Sequence, residues 1–407
     1  MKRKFVDFKV LTASLCCAVV MGVISFVFLK MLGLSSVFRE FFPYCIWFLP
    51  LSGMLTAFVY KKYGGESSKG NNLIIQSANE GIKVPKRLAV LTFFFTLLTH
   101  FSGGSAGREG TAVQIGGALT SNVADKFGFK KEDRKTIILS GLSSAFGSVF
   151  GTPLAGAFFG MEVCCIGQLS ASAVIPCFLS SYLANAVTLL LGATHEVHTI
   201  ASVPNFDFKL ILIFVSASVF FGLLGKLFAL AVKYLKLLYA KIFKNTVLSA
   251  LAGSVVVTLL IILLNLNKYE GLSTWQQTTA FEGNANWYDM PVKFILTALT
   301  LGAGFQGGEV TPLFDIGASF GGWYANLFGI EPSFLAAIGL ICVFGSAANT
   351  PITTIMLGIE LFGAEAAPYF VFASLISFTA SGKSGIYSSQ ERKLSKSLFS
   401  AKADFSE

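Results

Sequence analysis

The stretches Gly107-Arg108-Glu109-Gly110-Thr111 and Gly307-Gly308-Glu309-Val310-Thr311 decide the fold. They lie 200 residues apart, and glycine, glutamate and threonine occupy the same positions in both. Glycine lets the backbone bend and brings its N–H groups close to a ligand. Two matching stretches of this kind indicate that the chain repeats one structural unit.

A second match supports the repeat. The run from Gly147 to Glu162 recurs from Gly345 to Glu360, at an offset of 198, with glycine, serine, threonine, proline and glutamate at the same spacing. We therefore predict two halves, residues 1–200 and 201–407. Repeated halves with glycine-interrupted apolar helices are typical of transporters, whose substrate lies between the halves near the middle of the membrane.

Composition excludes a water-soluble enzyme. Of 407 residues 54% are apolar and 13% are charged, about half of the roughly 25% usual in soluble domains. Five runs without Asp, Glu, Lys or Arg are each long enough to cross a bilayer, which takes roughly 20 residues: Leu11–Leu29, Phe41–Tyr60, Thr136–Met161, Thr246–Asn267 and Pro332–Ile359. The chain is predicted to be an all-α polytopic membrane protein.

The net charge of +9 does not indicate a nucleic-acid partner, because the basic residues cluster in short loops and tails. These clusters are Lys2–Lys4, Lys61–Lys62, Lys83–Arg87, Lys130–Lys135, Lys226–Lys244 and Arg392–Lys402. Such clustering follows the positive-inside rule. We expect a multi-pass protein of the cell membrane with both termini in the cytoplasm. The seven cysteines form no Cys-x-x-Cys pair, and we expect neither a metal nor a cofactor.

Arg108 and Glu109 are the only charged residues between Leu88 and Ala124. An ionisable residue inside a membrane span is costly and indicates function. A helix that begins inside the membrane presents free N–H groups and its positive dipole end, which together form an anion site. A carboxylate at Glu109 would compete with an anion for these donors and leave when protonated. The alternatives are a permanent helix cap for Glu109 and a structural ion pair for Arg108.

The motifs resemble those of the CLC chloride channels and transporters. Gly107–Thr111 is similar to the family's GREGP/GREGT motif, and Gly307–Pro312 stands where its second anion-binding helix begins. Pro153–Gly156 and Gly385–Ser388 resemble two further landmarks, the second of which carries the pore tyrosine. The resemblance implies two repeats of inverted topology, broken helices that meet near the midplane, and a homodimer.

Departures from the chloride-type pattern resemble the fluoride/proton antiporter branch. Asn71 and Asn72 replace the usual serine motif, Val163 stands where proton-coupled chloride members carry an acid, and Glu309 is an additional acid. The resemblance implies a gating role for Glu109 and proton handling by Glu309. We expect the nearby Thr311 to hold the carboxyl of Glu309 in place. The resemblance places Asn71, or Asn72 at a shift of one residue, at the anion. The other implied anion-binding residues are Gly107, Arg108, Gly110, Val310, Thr311 and Tyr387.

Fluoride chemistry fits this branch, because a tightly hydrated ion needs strong donors and an amide offers two where a hydroxyl offers one. We expect export of cytoplasmic fluoride in exchange for protons, with a chloride/proton antiporter or a passive anion channel as alternatives. Each site residue also has a structural alternative: a turn for Asn71, a helix cap for Thr311 or Glu309, and an interfacial aromatic for Tyr387.

Two other features of the sequence suggest roles other than anion transport. The stretch Gly103–Gly107 matches GxSxG with His100 nearby, which makes an intramembrane serine hydrolase the rival from another class. Glu162 and Glu360 match each other in the repeat, and their symmetry indicates a shared packing or capping task. Glu109, beside the GxSxG stretch, has no part in hydrolase chemistry, so transport is favoured.

Overall fold

The computed structural model describes residues 7–205 and 207–393. The expected cytoplasmic termini, with Lys2–Lys4 and most of the basic run Arg392–Lys402, lie outside the described residues. Eight helices of the first half are α1 Phe8–Phe41, α2 Leu49–Val59, α3 Asn71–Glu80, α4 Arg87–Phe101, α5 Glu109–Lys126, α6 Lys131–Phe150, α7 Pro153–Glu162 and α8 Val174–Leu190. Eight of the second half are α9 Phe208–Ile242, α10 Thr246–Leu263, α11 Trp275–Phe281, α12 Asp289–Gly302, α13 Val310–Phe328, α14 Pro332–Ala348, α15 Pro351–Phe362 and α16 Ala367–Ala380.

The two sets of helices follow the same order. Each set opens with its longest helix, and both of these begin at an aspartate whose side chain accepts a backbone N–H: Asp7 before α1 and Asp207 before α9. Within the described residues, five helical segments are long and apolar enough to cross a membrane: Phe8–Phe41, Pro43–Lys69, Ala171–Leu190, Phe208–Ile242 and Thr246–Leu263.

Two of the runs expected to cross as single helices are broken in the structure. The run 136–161 is divided where α6 ends and α7 begins at Pro153, and the run 332–359 is divided before Pro351. Proline cannot donate a backbone hydrogen bond and forces the preceding residue out of helical geometry. Gly151 and Asn349, at φ +75° and +60°, end α6 and α14 in the left-handed conformation.

Glu162 and Glu360 join the two halves reciprocally. Glu162, at the end of α7, accepts the backbone N–H groups of Ile352 at 2.9 Å and Thr353 at 2.8 Å, in the first turn of α15. Glu360, near the end of α15, accepts those of Leu154 and Ala155 in the first turn of α7 at 2.9 and 2.8 Å. The capping task expected from the repeat is confirmed. Reciprocal contacts of this kind are what two similar units related by a two-fold axis would form.

A second reciprocal contact lies at the centre of the molecule. Gly107 and Gly308 form an antiparallel bridge in which each N–H donates to the other's carbonyl oxygen at 2.7 Å. A Cβ atom on Gly107 would lie 2.9 Å from the carbonyl oxygen of Gly308, and one on Gly308 would lie 2.7 Å from the backbone nitrogen of Gly110. Glycine is required at both positions because the two segments of backbone approach so closely.

One small sheet departs from the all-α expectation. Strand β1, Cys165–Ile166, follows α7 and pairs in parallel with β2, Glu391–Arg392. Before reaching it, the chain passes Tyr387, whose side chain is buried at 4% exposure. The pairing brings the segment after α16 back to the centre of the fold.

Candidate anion site

The starts of α5 and α13 face each other across the Gly107–Gly308 bridge. The fully buried carboxylate of Glu109 accepts the backbone N–H of Thr311 at 3.1 Å, and the Thr311 hydroxyl donates to the same oxygen. Its other oxygen lies 3.0 Å from Nε of Arg108. The expectation that the two helix starts share one site is confirmed, since Glu109 occupies donors at the N-terminus of α13.

Two residues implied to bind the anion have other partners in the structure. The N–H of Gly107 donates to Gly308 in the bridge, so this N–H is not free for an anion, and an anion-binding role for Gly107 stays a prediction. Arg108 is paired with Glu109 and lines a different cavity from Asn71, so the structure does not bring Arg108 and Asn71 to one cavity. A structural ion pair for Arg108 was the alternative that the sequence left open.

A cavity of about 330 Å³, which we call the Asn71 cavity, lies beside Glu309. Within the described chain, three of its polar atoms are buried without a hydrogen-bond partner: Oδ1 of Asn71, Oε2 of Glu309 and the hydroxyl of Tyr387. Buried polar groups are rarely left unpaired. The cavity wall therefore has unused hydrogen-bonding capacity: two oxygens that can accept from water, and one hydroxyl that can donate to an anion.

The two neighbouring asparagines have different contacts in the structure. The Oδ1 atom of Asn72 accepts the backbone N–H of Ser389 at 3.0 Å, which ties Asn72 to the segment after α16. The amide nitrogen of Asn71 instead lies 3.4 Å from where a Cβ atom of Gly110 would stand, and Oε2 of Glu309 lies 3.1 Å from that same point. Asn71, Gly110 and Glu309 thus converge, and Asn71 is the asparagine that the geometry favours for the anion.

Thr311 does not hold the carboxyl of Glu309. Both its N–H and its hydroxyl donate to Glu109, so the expected contact between Thr311 and Glu309 is wrong. The cation acting on Glu309 is Lys236 of α9, which lines the same cavity. Val310 is buried at the first position of α13, with 1% exposure.

The two cavities near the start of α5 differ in charge. The Asn71 cavity is lined by three lysines, Lys69, Lys233 and Lys236, whose field attracts anions. A second cavity of about 660 Å³, which we call the Arg108 cavity, is lined by cations and carboxylates together. Its Glu270 lies outside the membrane-spanning helices, and burial raises the pKa of that carboxyl to about 7 although Arg39 opposes the shift.

The residues of the rival hydrolase motif do not form a catalytic pair. The hydroxyl of Ser105 lies 2.9 Å from that of Thr297, and Nε2 of His100 lies 3.3 Å from the carbonyl oxygen of Gly107. The histidine therefore supports the bridge rather than activating the serine. Among the described residues, no group of three or more His, Cys, Asp or Glu side chains could hold a metal ion.

A family model described as voltage gated chloride channel matches residues 52–382. The chain belongs to this CLC family. Its fold is accordingly the CLC fold of two repeats with opposed topology, and it is an ion-transport protein rather than an enzyme.

Proteins similar to this CLC chain are named for different transport functions. It is 38% identical over 380 residues to a "Chloride/fluoride channel protein" of Pseudomonas syringae pv. tomato, covering 92% of this chain and 84% of the relative. It is 26% identical over 325 residues to an H(+)/Cl(-) exchange transporter of Vibrio cholerae, covering 75% of this chain and 69% of the relative. A crystal structure of a CLC-type fluoride/proton antiporter matches with a TM-score of 0.90 and 34% identity, covering 94% of this chain and 98% of that one. A slow cyanobacterial Cl⁻/H⁺ antiporter, at 17% identity and a TM-score of 0.79, shares the fold.

Sequence reasoning missed a buried ion pair of this CLC chain. Lys293 and Asp315 are both fully buried, with Nζ 3.5 Å from Oδ2, and Nε2 of Gln277 donates to the other carboxylate oxygen at 2.7 Å. Lys293 also donates to the carbonyl oxygens of Gly271 and Leu272 at 3.0 Å each. A signal existed, because Lys293 is the only lysine or arginine between residues 269 and 382 and intramembrane charges need partners.

Proposed function

We propose that this chain is a fluoride/proton antiporter that exports cytoplasmic fluoride in exchange for protons. The observation that carries the proposal is the position of Glu109. Its carboxylate occupies the N–H and hydroxyl donors of Thr311, at the point where a broken helix presents its positive end. These are the donors that a transported anion would use.

Protonation supplies the coupling. As a carboxylate, Glu109 is held by charge-assisted hydrogen bonds, which are about twice as strong as neutral ones. A proton on Glu109 removes that charge, weakens its bonds to Thr311 and lets the side chain leave. An anion from the Asn71 cavity then takes the vacated donors, and the returning carboxylate displaces the anion when the proton departs. Each cycle therefore exchanges one kind of ion for the other.

The Asn71 cavity suits fluoride. A small ion with tightly held water needs several strong donors, and the Asn71 amide supplies two where a serine hydroxyl would supply one. Glu309 adds a carboxyl with a buried, unpartnered oxygen, which when protonated can donate to fluoride or to Glu109. Tyr387 brings a further unpartnered hydroxyl. Two similar proteins are named for fluoride, the chloride/fluoride channel protein and the fluoride/proton antiporter, which supports this assignment.

We further infer the assembly and orientation of the protein. Residues 1–200 and 201–407 would be the two repeats, which the equal helix order and the reciprocal glutamate caps support. The lysine-lined Asn71 cavity would open to the cytoplasm by the positive-inside rule, as would both termini. A homodimer with one pathway in each subunit follows from the family resemblance and is checked by cross-linking in membranes.

Flux from liposomes tests the proposed function. The reconstituted protein should release fluoride with proton movement in the opposite direction, and chloride should substitute poorly. Equal rates for the two anions would favour the chloride/proton antiporter. Fluoride release without proton movement would favour a passive channel, the function that the name of the Pseudomonas relative suggests.

A further inference from the structure

Gln114 is a buried amide in the wall of the Asn71 cavity. It lies on α5, five residues after Glu109, with 6% of its surface exposed. Neither the composition nor the motifs of the chain single it out. An amide in a mostly apolar membrane protein needs partners, so the direction of its donors matters.

Hydrogen bonds from neighbouring helices orient this amide. The hydroxyl of Thr92 on α4 donates to Oε1 of Gln114 at 3.1 Å. Because a hydroxyl has one hydrogen, Thr92 must accept from the hydroxyl of Tyr60, which lies 3.4 Å away. The chain Tyr60–Thr92–Gln114 thus fixes the carbonyl oxygen of the amide towards α4. Among the described residues, nothing accepts a hydrogen bond from the amide nitrogen, Nε2.

The amide packs beside Asn71. Both Nε2 and Oε1 of Gln114 lie 3.3 Å from where a Cβ atom of Gly70 would stand, and Gly70 immediately precedes Asn71. Gly70 has φ +55° and no side chain, so the flat amide group can lie against its backbone. The two amides therefore line neighbouring parts of one cavity wall.

We propose that Gln114 is a second amide ligand of the transported anion, working with Asn71. The inference rests on the proposed function for the identity of the ion. Each primary amide carries two N–H donors, so Asn71 and Gln114 together offer four to an ion that has lost part of its water. Tyr60 and Thr92 are positioning residues, because they hold the carbonyl oxygen of Gln114 away from the anion.

The repeat supports a dedicated role for this residue. At the offset of 200 that relates Glu109 to Glu309, the position of Gln114 is taken by Phe314, a buried residue packed against Phe150 and Phe344. At this position the amide is present in the first half alone. A residue needed only for helix packing would be apolar in both halves.

Fluoride and chloride binding to the purified protein, measured by isothermal titration calorimetry, tests the inference. Gln114→Met keeps the length of the side chain and removes both donors. Hydrogen bonds to charged groups are the stronger ones, so we expect fluoride binding to weaken about tenfold or more, with a smaller change for chloride. Thr92→Val should weaken it less, since the amide remains but loses its orientation. Gln168→Met, at an exposed glutamine, is the matched control and should bind as the wild type does.

Gln114→Glu keeps the shape of the side chain if the methionine variant does not fold. Its carboxylate should repel fluoride at neutral pH, and binding should recover at acidic pH where the carboxyl is protonated. Unchanged fluoride affinity in either folded variant would overturn the inference. Failure of the proposed function is distinguishable, because the wild-type protein would then prefer chloride in the same titrations or release fluoride from liposomes without proton movement.

Discussion

The paired glutamate caps make the interface between α7 and α15 sensitive to a single truncation. Glu162→Ala removes the acceptors of three donors: the N–H groups of Ile352 and Thr353 and the hydroxyl of Thr353, which lies 2.7 Å from the carboxylate. Each buried donor left unpaired costs about 1–3 kcal/mol. Three such donors would together cost about 3–9 kcal/mol. We expect a loss of about 3–6 kcal/mol in the free energy of unfolding, in the lower part of that range, because an unfolded state within a membrane also finds partners.

Glu360→Ala should cost less. Glu360 is partly exposed and caps two N–H groups, so water can replace part of what is lost and we expect about 1–3 kcal/mol. Glu331→Ala is the matched control. Its side chain accepts the N–H of Ser333 at 3.4 Å and the hydroxyl at 2.9 Å in a partly exposed position, so the loss should stay below about 1 kcal/mol.

Titration with SDS in mixed micelles, followed by circular dichroism, gives these free energies. The double variant of Glu162 and Glu360 should deviate from the sum of the single variants, because both residues act on the same pair of helices. If Glu162→Ala is as stable as Glu331→Ala, the two caps do not hold the halves together and the reasoning is refuted.

Three further outcomes are expected. Glu109→Gln mimics the protonated gate, so proton movement should vanish while fluoride flux stops or runs uncoupled; intact exchange in liposomes would remove Glu109 from the mechanism. Glu309→Gln should still bind fluoride, because an amide donates, yet lose proton-coupled turnover, whereas Glu309→Ala should lose both; wild-type exchange by the alanine variant would make Glu309 a relic of the repeat. Burial raises the pKa of Glu270 from the ordinary value of 4.5 to about 7. Between these pH values the folded protein keeps a proton on Glu270 that the unfolded chain has released. The contribution of Glu270 to stability therefore falls as the pH rises from 4.5 to about 7. Glu270→Gln should remove that part of the pH dependence of the thermal midpoint in detergent, and an unchanged profile would contradict the assignment.

Much of the fold can be predicted from the sequence because glycine, proline and glutamate recur at matching positions in the two halves. Glu109 and Glu309 marked the two helix starts, since charge is rare in apolar segments. The length of an apolar run does not show the helix breaks before Pro153 and Pro351, although the prolines themselves indicate them.

Partners across the fold could not be read from the chain. The Thr311 contact was assigned to Glu309, its near neighbour in sequence, and the structure gives it to Glu109 of the other half. Gln114 carries no signal of its own, because a single amide on a helix is common. Its place became visible only when Gly70 and Thr92 were brought beside it by tertiary packing.

The hydrogen bonds between Gly107 and Gly308 limit how the protein can move. They join the two halves at the centre, and the glutamate caps join them again at α7 and α15. Rocking of one half against the other, which other repeat-built transporters use, would have to break all of these buried bonds at once. Access should therefore alternate through rotation of the Glu109 side chain within a still backbone. A covalent cross-link placed between the halves would then leave the exchange rate unchanged.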